Sequence, residues 1–191
     1  MTGRRIKLYL LLGGIVVSGL VFLGWTQEWF SVVITEGPTL SVAGDVAAPA
    51  LSTLALTTLV LVAALSIAGP FFRVVLGVLQ TLLGATVVLS GVIALVDPVK
   101  ASGASISDAT GIAGNDPIHA LVASVAVSAW PWVSTIAGAL LAVIGVAVIA
   151  TGRRWPGSSR KYSAVKLEPA AERSAVDDWD SLSDGSDPTS S

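Results

Sequence analysis

Four long apolar runs constrain the fold of this chain more than any other feature of its sequence. They cover about residues 8–25, 48–68, 71–96 and 131–151, and each is close to the roughly 20 residues with which a helix crosses a bilayer core. Hydrophobic residues make up 53% of the chain and charged residues only 13%, so the apolar excess has to be buried in lipid. We therefore predict an all-α membrane protein, a four-helix transmembrane bundle.

Proline and glycine mark the ends of the later runs. Pro49 and Pro131 suit the first turn of a helix, where the missing N–H is not needed, and Gly69-Pro70 separates the second run from the third. A break this short predicts that the second and third helices are antiparallel neighbours. The first run follows a basic start, as in a secretory signal, but residues 19–29 contain no small-x-small cleavage site. We expect it to be retained as a span.

Lysine and arginine predict the orientation of the bundle. Cytoplasmic loops carry an excess of these residues, and in a four-span arrangement every one of them except Lys100 falls on the same side. Both termini are then cytoplasmic, and the loops at residues 26–47 and 97–130 face outward. We expect a multi-pass protein of the plasma membrane whose first partner is the lipid bilayer. The predicted interface anchors are Trp25, Trp29, Trp130 and Trp132 on the outer side, and Arg153, Arg154 and Trp155 on the inner side.

Both outer loops are predicted to be ordered. Aromatic and β-branched residues at 29–34 and 39–42 flank Glu36-Gly37-Pro38, which is typical of a β-hairpin. The second loop opens with a Ser-, Gly- and Asp-rich surface connection at 101–116. Residues 118–129 fit both a helical and a strand period, and we favour the strand because the hairpin offers it an edge. The outer loops then form a small extracytoplasmic β-sheet of about three strands, since a lone hairpin is marginal in water.

The chain is predicted to divide into a four-span membrane domain, residues 1–152, and a cytoplasmic tail, residues 153–191. The tail is rich in Ser, Asp, Pro and Gly, so it has too little apolar surface to fold alone and should be disordered. Trp179 and Leu182 would share one face of an induced helix and dock into a cytoplasmic protein. The alternative is a tail that only solubilises. The predicted docking motif is Trp179, Asp180, Leu182, Asp187 and Pro188.

The sequence contains few residues of the types that catalysis and metal binding require. There is no cysteine, and His119 is the only histidine, so one chain cannot build a triad or a paired-histidine metal site. We expect His119 to lie in a polar loop without a chemical role. The carboxylates fall in the outer loops and the tail. The sequence therefore predicts no enzyme, no cofactor and no metal, and nothing in its charge pattern points to nucleic acid.

Several polar residues lie within the third apolar run. Gln80, with Thr81, Thr86 and Ser90 on the same helix, is a candidate substrate-binding residue; the simpler interpretation is an interhelical hydrogen bond. Arg73 is interpreted as a snorkelling anchor at the inner end of that helix.

Glycines recur every seven residues in the last two runs, which places them on nearly one helix face. Such stripes let two backbones approach closely, either within one chain or between this chain and a second copy or another membrane partner. The sequence does not choose between these arrangements. The predicted packing positions are Gly77, Gly84, Gly91, Gly138, Gly145 and Gly152.

Several segments together resemble one family. They are Trp25 at the end of the first span, residues 47–51, residues 129–132, residues 153–156 and the tail motif at residues 178–189. Over nearly its whole length the chain resembles the Trp-associated transmembrane proteins of actinobacteria. That family commonly has a charged pair before the final Asp-Pro-Thr, and Ser186 occupies one of those places here.

The resemblance implies a gene beside those of tryptophan biosynthesis and a molecular activity that is not established for the family. Two functions remain open. The first is a non-enzymatic accessory or scaffold protein that acts by binding. The second is a small transporter or exporter component for tryptophan or an aromatic precursor, which would need a cavity and therefore oligomerisation.

Overall fold

A computed structural model of the protein describes residues 3–35 and 37–155. Within them four helices are long and apolar enough to cross a membrane, which confirms the predicted four-span architecture. The first helix begins well before the predicted run, because the arginines and lysine ahead of that run are themselves good helix formers. The four helices are α1 (Gly3–Thr26), α3 (Ala50–Ile67), α4 (Pro70–Val96) and α8 (Trp130–Thr151).

The four helices pack unevenly around the bundle. The most extensive contact is between α4 and α8, while α1 packs against both α8 and α3. The contact between α3 and α4 is smaller, although only a short turn connects them. The bundle has two ends: the sheet end, where α1 and α4 finish, and the basic end, where they begin.

A three-stranded antiparallel sheet covers the sheet end, as predicted. Its strands are β1 (Glu28–Ile34), β2 (Thr39–Ala43) and β3 (Val122–Val127), in the order β2-β1-β3. Val32 at the centre lies opposite Leu40 on one side and Val125 on the other. The hairpin thus gives the later strand its edge.

Short helices fill most of the remaining loop sequence. Most residues of the predicted surface connection at 101–116 are exposed or half-buried, and most of them are helical. The competing periods of residues 118–129 are both real: a helix ends at Leu121 and the strand begins at the next residue. The short helices are α2 (Gly44–Ala47), α5 (Pro98–Ala101), α6 (Gly103–Thr110) and α7 (Asn115–Leu121).

Local signals explain where these short helices start and stop. The side chain of Asp97 accepts a hydrogen bond from the Lys100 backbone N–H and so caps α5. Gly111, at a φ of 72°, ends α6 in the left-handed conformation that glycine adopts without strain.

One apolar core joins the sheet to the bundle. Phe30 and Val32 of β1 are fully buried and belong to the same cluster as Leu51 of α3, Val87 of α4 and Leu141 of α8. The sheet and the short helices together are called the cap. The cap therefore packs directly on the membrane-spanning helices.

Candidate functional site

The glycines of α4 and α8 face each other inside one chain. A Cβ added at Gly84 would lie 2.7 Å from the carbonyl oxygen of Gly138, and one added at Gly145 would lie 2.6 Å from the backbone nitrogen of Thr81. Real Cβ atoms do not approach other atoms so closely, so only glycine permits this separation of the two backbones. The structure uses these glycines for packing within the chain.

Gly91 of α4 and Gly152 of α8 lie closest to side chains rather than to backbone atoms of the other helix. A Cβ at Gly91 would meet the side-chain hydroxyl of Thr135, while one at Gly152 would lie 3.4 Å from the Cβ of Arg73, an ordinary contact. The close approach is therefore concentrated in the middle of the helices, around Gly77, Gly84, Gly138 and Gly145.

Helix α1 makes a second set of close glycine contacts, which was not predicted from the sequence. A Cβ at Gly14 would lie 2.7 Å from a methyl group of Val62 on α3, and one at Gly24 would collide with the hydroxyl of Ser134 on α8. The buried residues of α1 are Gly14, Ser18, Val21 and Gly24. Their spacing of three and four residues is the signal by which this face could have been found.

Gln80 lies in the middle of the bundle without a polar partner. Its side chain is fully buried, and neither its amide nitrogen nor its amide oxygen has a hydrogen-bond partner among the described residues. The interhelical hydrogen bond predicted as the simpler interpretation does not form with any of the described residues. A buried amide that stays unpaired costs about 1–3 kcal/mol of folding free energy.

The hydroxyl groups near Gln80 do not join it in a polar site. Thr81 donates to the carbonyl of Gly77 on its own helix. Thr86 is exposed and Ser90 is half-buried, and both donate to carbonyls one turn earlier on their own helix. The polar residues of this helix therefore point to different sides.

Arg73 is a clamp at the basic end, and its interpretation as a snorkelling anchor is wrong. The side chain is only 3% exposed. Its Nε donates to the carbonyl of Ala68 at 2.9 Å, and its Nη1 donates to the carbonyls of Gly152 at 3.0 Å and Trp155 at 3.2 Å. Helix C-termini leave carbonyls unpaired, and α3 and α8 both end beside this guanidinium.

The tryptophans predicted as interface anchors differ in how far they are buried. Trp29 is fully buried in the cap and donates from its indole Nε1 to the carbonyl of Gly24 at 2.8 Å, so it is not an anchor. Trp155 is also buried, with its ring 5.3 Å from the guanidinium carbon of Arg73. Trp132 is 58% exposed at the sheet end, whereas Trp25 and Trp130 are half-buried.

The basic anchors lie next to Trp155. Arg153 is exposed, in a short 3₁₀ turn (Gly152–Arg154) that continues α8.

His119 makes a contact that the sequence did not suggest. Its Nε2 lies 3.5 Å from Oδ1 of Asp97, and both side chains are partly exposed. The contact ties α7 to the corner between α4 and α5. No group of three or more His, Cys, Asp or Glu residues that could hold a metal occurs in the part of the chain that the structure describes.

Comparison with protein families shows to which family the chain belongs. A family model described as tryptophan-associated transmembrane protein matches residues 7–189. The chain belongs to this family. The family predicted from the sequence is thereby confirmed, and the protein is a member of these transmembrane proteins; its actinobacterial origin stays a prediction. No curated protein and no solved structure matches the chain.

The matched region extends through the tail. The predicted docking motif of Trp179, Asp180, Leu182, Asp187 and Pro188 lies outside the described residues but inside the region that the family model matches.

Proposed function

We propose that this protein is a non-enzymatic accessory or scaffold of the plasma membrane, associated with tryptophan biosynthesis, that acts by binding other proteins. Its termini would be cytoplasmic. The positions of the described cations support this orientation, since Arg4, Lys7, Arg73 and Arg153 lie at the basic end and Lys100 lies at the sheet end.

The observation that carries the proposal is the direct contact between the backbones of α4 and α8. Gly84 and Gly138 bring the two helices together at the depth where a substrate would have to pass. Thr86 and Ser90, which would line a polar path together with Gln80, donate their hydroxyls to carbonyls of their own helix instead. A bundle whose helices meet backbone to backbone suits a protein that presents binding surfaces at its two ends.

The binding surface proposed for the cytoplasm is the tail motif. Its support is that the family match continues to residue 189. Trp179 and Leu182 are three residues apart, and an induced helix would place both on one face, where they could enter an apolar groove. The flanking aspartates would steer association with a basic partner.

The test is affinity purification of the full-length protein from membranes. The variant Trp179→Ala/Leu182→Ala should reach the membrane in the same amount as wild type but lose a cytoplasmic protein that wild type retains. Asp177→Asn is a control that leaves the apolar pair intact. Identical recovered proteins from wild type and the double variant would refute docking through the tail.

A transporter component for tryptophan or an aromatic precursor is the second candidate, and one observation favours it. Gln80 is a buried amide with unpaired donor and acceptor atoms in the middle of the bundle. If it binds a substrate, Gln80→Leu should abolish a tryptophan flux that depends on this gene. Under the accessory proposal, tryptophan uptake and efflux are the same with the gene, without it and with Gln80→Leu.

A further inference from the structure

Charge is strongly separated between the two ends of the described chain. The described carboxylates, on Glu28, Asp45, Asp97, Asp108 and Asp116, all belong to the cap at the sheet end. Arg4, Arg5 and Lys7 stand at the opposite end of α1, where no described residue is acidic. Positive charge at that end is therefore not balanced by carboxylates of the described residues, and it attracts anions.

A groove on α1 combines two of these cations with two leucines. Arg4, Lys7, Leu8 and Leu11 line a groove of about 350 Å³. Their spacing of three, one and three residues places them on one face of the helix, with the cations nearer its start and the leucines deeper in the span. Leu8 is 54% exposed, so an apolar surface lies open beside the charged groups.

Lys7 is held in place at this groove. Its Nζ donates to the carbonyl of Ser66 at 2.6 Å, close to the end of α3. An ammonium group has three donors, so this bond leaves others for a ligand. Arg4, which is exposed, adds a planar guanidinium that can bind two oxygens of a phosphate at once.

We propose that this groove binds an anionic phospholipid, with the headgroup phosphate between Arg4 and Lys7 and an acyl chain along Leu8 and Leu11. A soluble phosphate or an acidic peptide would contact the cations but would not account for the exposed leucines beside them. A phospholipid uses both, because its charge and its hydrocarbon are separated along the same direction as the cations and leucines of the groove. The proposal requires only that the basic end face a leaflet that contains anionic lipid.

Photocrosslinking to the full-length protein tests this assignment. The probe is phosphatidylglycerol with a diazirine in one acyl chain, added to the purified protein in detergent, and the readout is labelling of the residue 4–11 segment by mass spectrometry. Wild type should be labelled, and Arg4→Gln should reduce labelling about fivefold, as the loss of one cation from an anionic lipid site implies. Arg4→Lys should retain most of it.

Arg5→Gln is the matched control. Arg5 is the same residue type one position along the helix, is exposed, and does not line the groove. It should leave labelling nearly unchanged. Equal losses for Arg4→Gln and Arg5→Gln would mean that only the general charge of the surface matters, and equal labelling by a phosphatidylcholine probe would mean that charge does not matter; either result overturns the proposal.

The leucines separate a lipid from a soluble anion. Leu8→Asn should reduce labelling by phosphatidylglycerol, whereas Leu12→Asn, at a side chain that is similarly exposed at 49% but lies outside the groove, should not. Glycerol phosphate, which has the charge without the hydrocarbon, should not compete with the probe. Unchanged labelling of Leu8→Asn, or full competition by glycerol phosphate, would show that the groove recognises only the phosphate and would overturn the proposed role of the leucines.

Discussion

Two buried polar residues on α4, Arg73 and Gln80, differ in the hydrogen bonding of their side chains. The guanidinium of Arg73 is out of contact with water but is paired with carbonyl oxygens at the ends of two other helices. The amide of Gln80 is equally buried and is paired with none of the described residues. A charged group is therefore better accommodated than a neutral one, because helix ends supply acceptors and helix middles do not.

Replacing Arg73 should destabilise the bundle. Arg73→Met keeps much of the apolar contact but leaves the carbonyls of Ala68, Gly152 and Trp155 without this donor. We expect a loss of about 2–4 kcal/mol, since hydrogen bonds from charged groups are the stronger class. Thermal unfolding in detergent measures it, with Arg153→Met, at an exposed arginine, as the control that should change little. Equal melting temperatures for the two variants would contradict the clamp.

At the scale of elements, the contact between α4 and α8 organises the membrane domain. The two helices meet through backbone atoms rather than through large side chains, and dispersion between closely packed helices drives association where lipid offers no hydrophobic gain. Helix α1 follows the same rule through Gly14 and Gly24.

Bulk on this contact should disrupt assembly. In Gly84→Leu the new side chain would overlap the backbone of Ala142, forcing the helices apart. Overpacking of this kind costs about 1–3 kcal/mol or more. Gly19→Leu is the matched control, because a Cβ there has nothing within 4 Å. The measurement is the yield of folded protein extracted in mild detergent, together with its melting temperature. Similar behaviour of the two variants, or of Gly84→Leu and Leu82→Ala, would show that the close approach is unimportant.

For the whole molecule, the arrangement of charge predicts the topology. Arg4, Lys7, Arg73 and Arg153 share one end of the bundle, and the short turn at Gly69-Pro70 lies at that same end. The cap then faces the opposite compartment.

Fusion reporters check this orientation. A reporter after Ala68 or after Lys161 should report the cytoplasm, and one inserted near Ser105 should report the outside, because the excess of lysine and arginine stays inside. An outside signal at Lys161 would be incompatible with four spans of this orientation.

The sequence by itself determined the spans, the family and most of the sheet. Burying an apolar run in lipid depends on the residues of that run alone, and the strand patterns at 29–34 and 39–42 are equally local. The helical character of 101–116 was not visible, because its small polar residues form short helices only with Asp97 and Gly111 at their ends.

The tertiary structure alone decided what the individual side chains do. Arg73 is 79 positions from Gly152, and His119 meets Asp97 only after the chain has crossed the cap. Trp29 is buried rather than anchored in lipid because it lies in β1 and belongs to the apolar core that the sheet shares with the spans. The glycine stripes could have joined two chains or two helices of one chain, and the choice depends on which backbones the bundle brings within reach. Such contacts depend on residues far apart in sequence, whose partners no local pattern specifies.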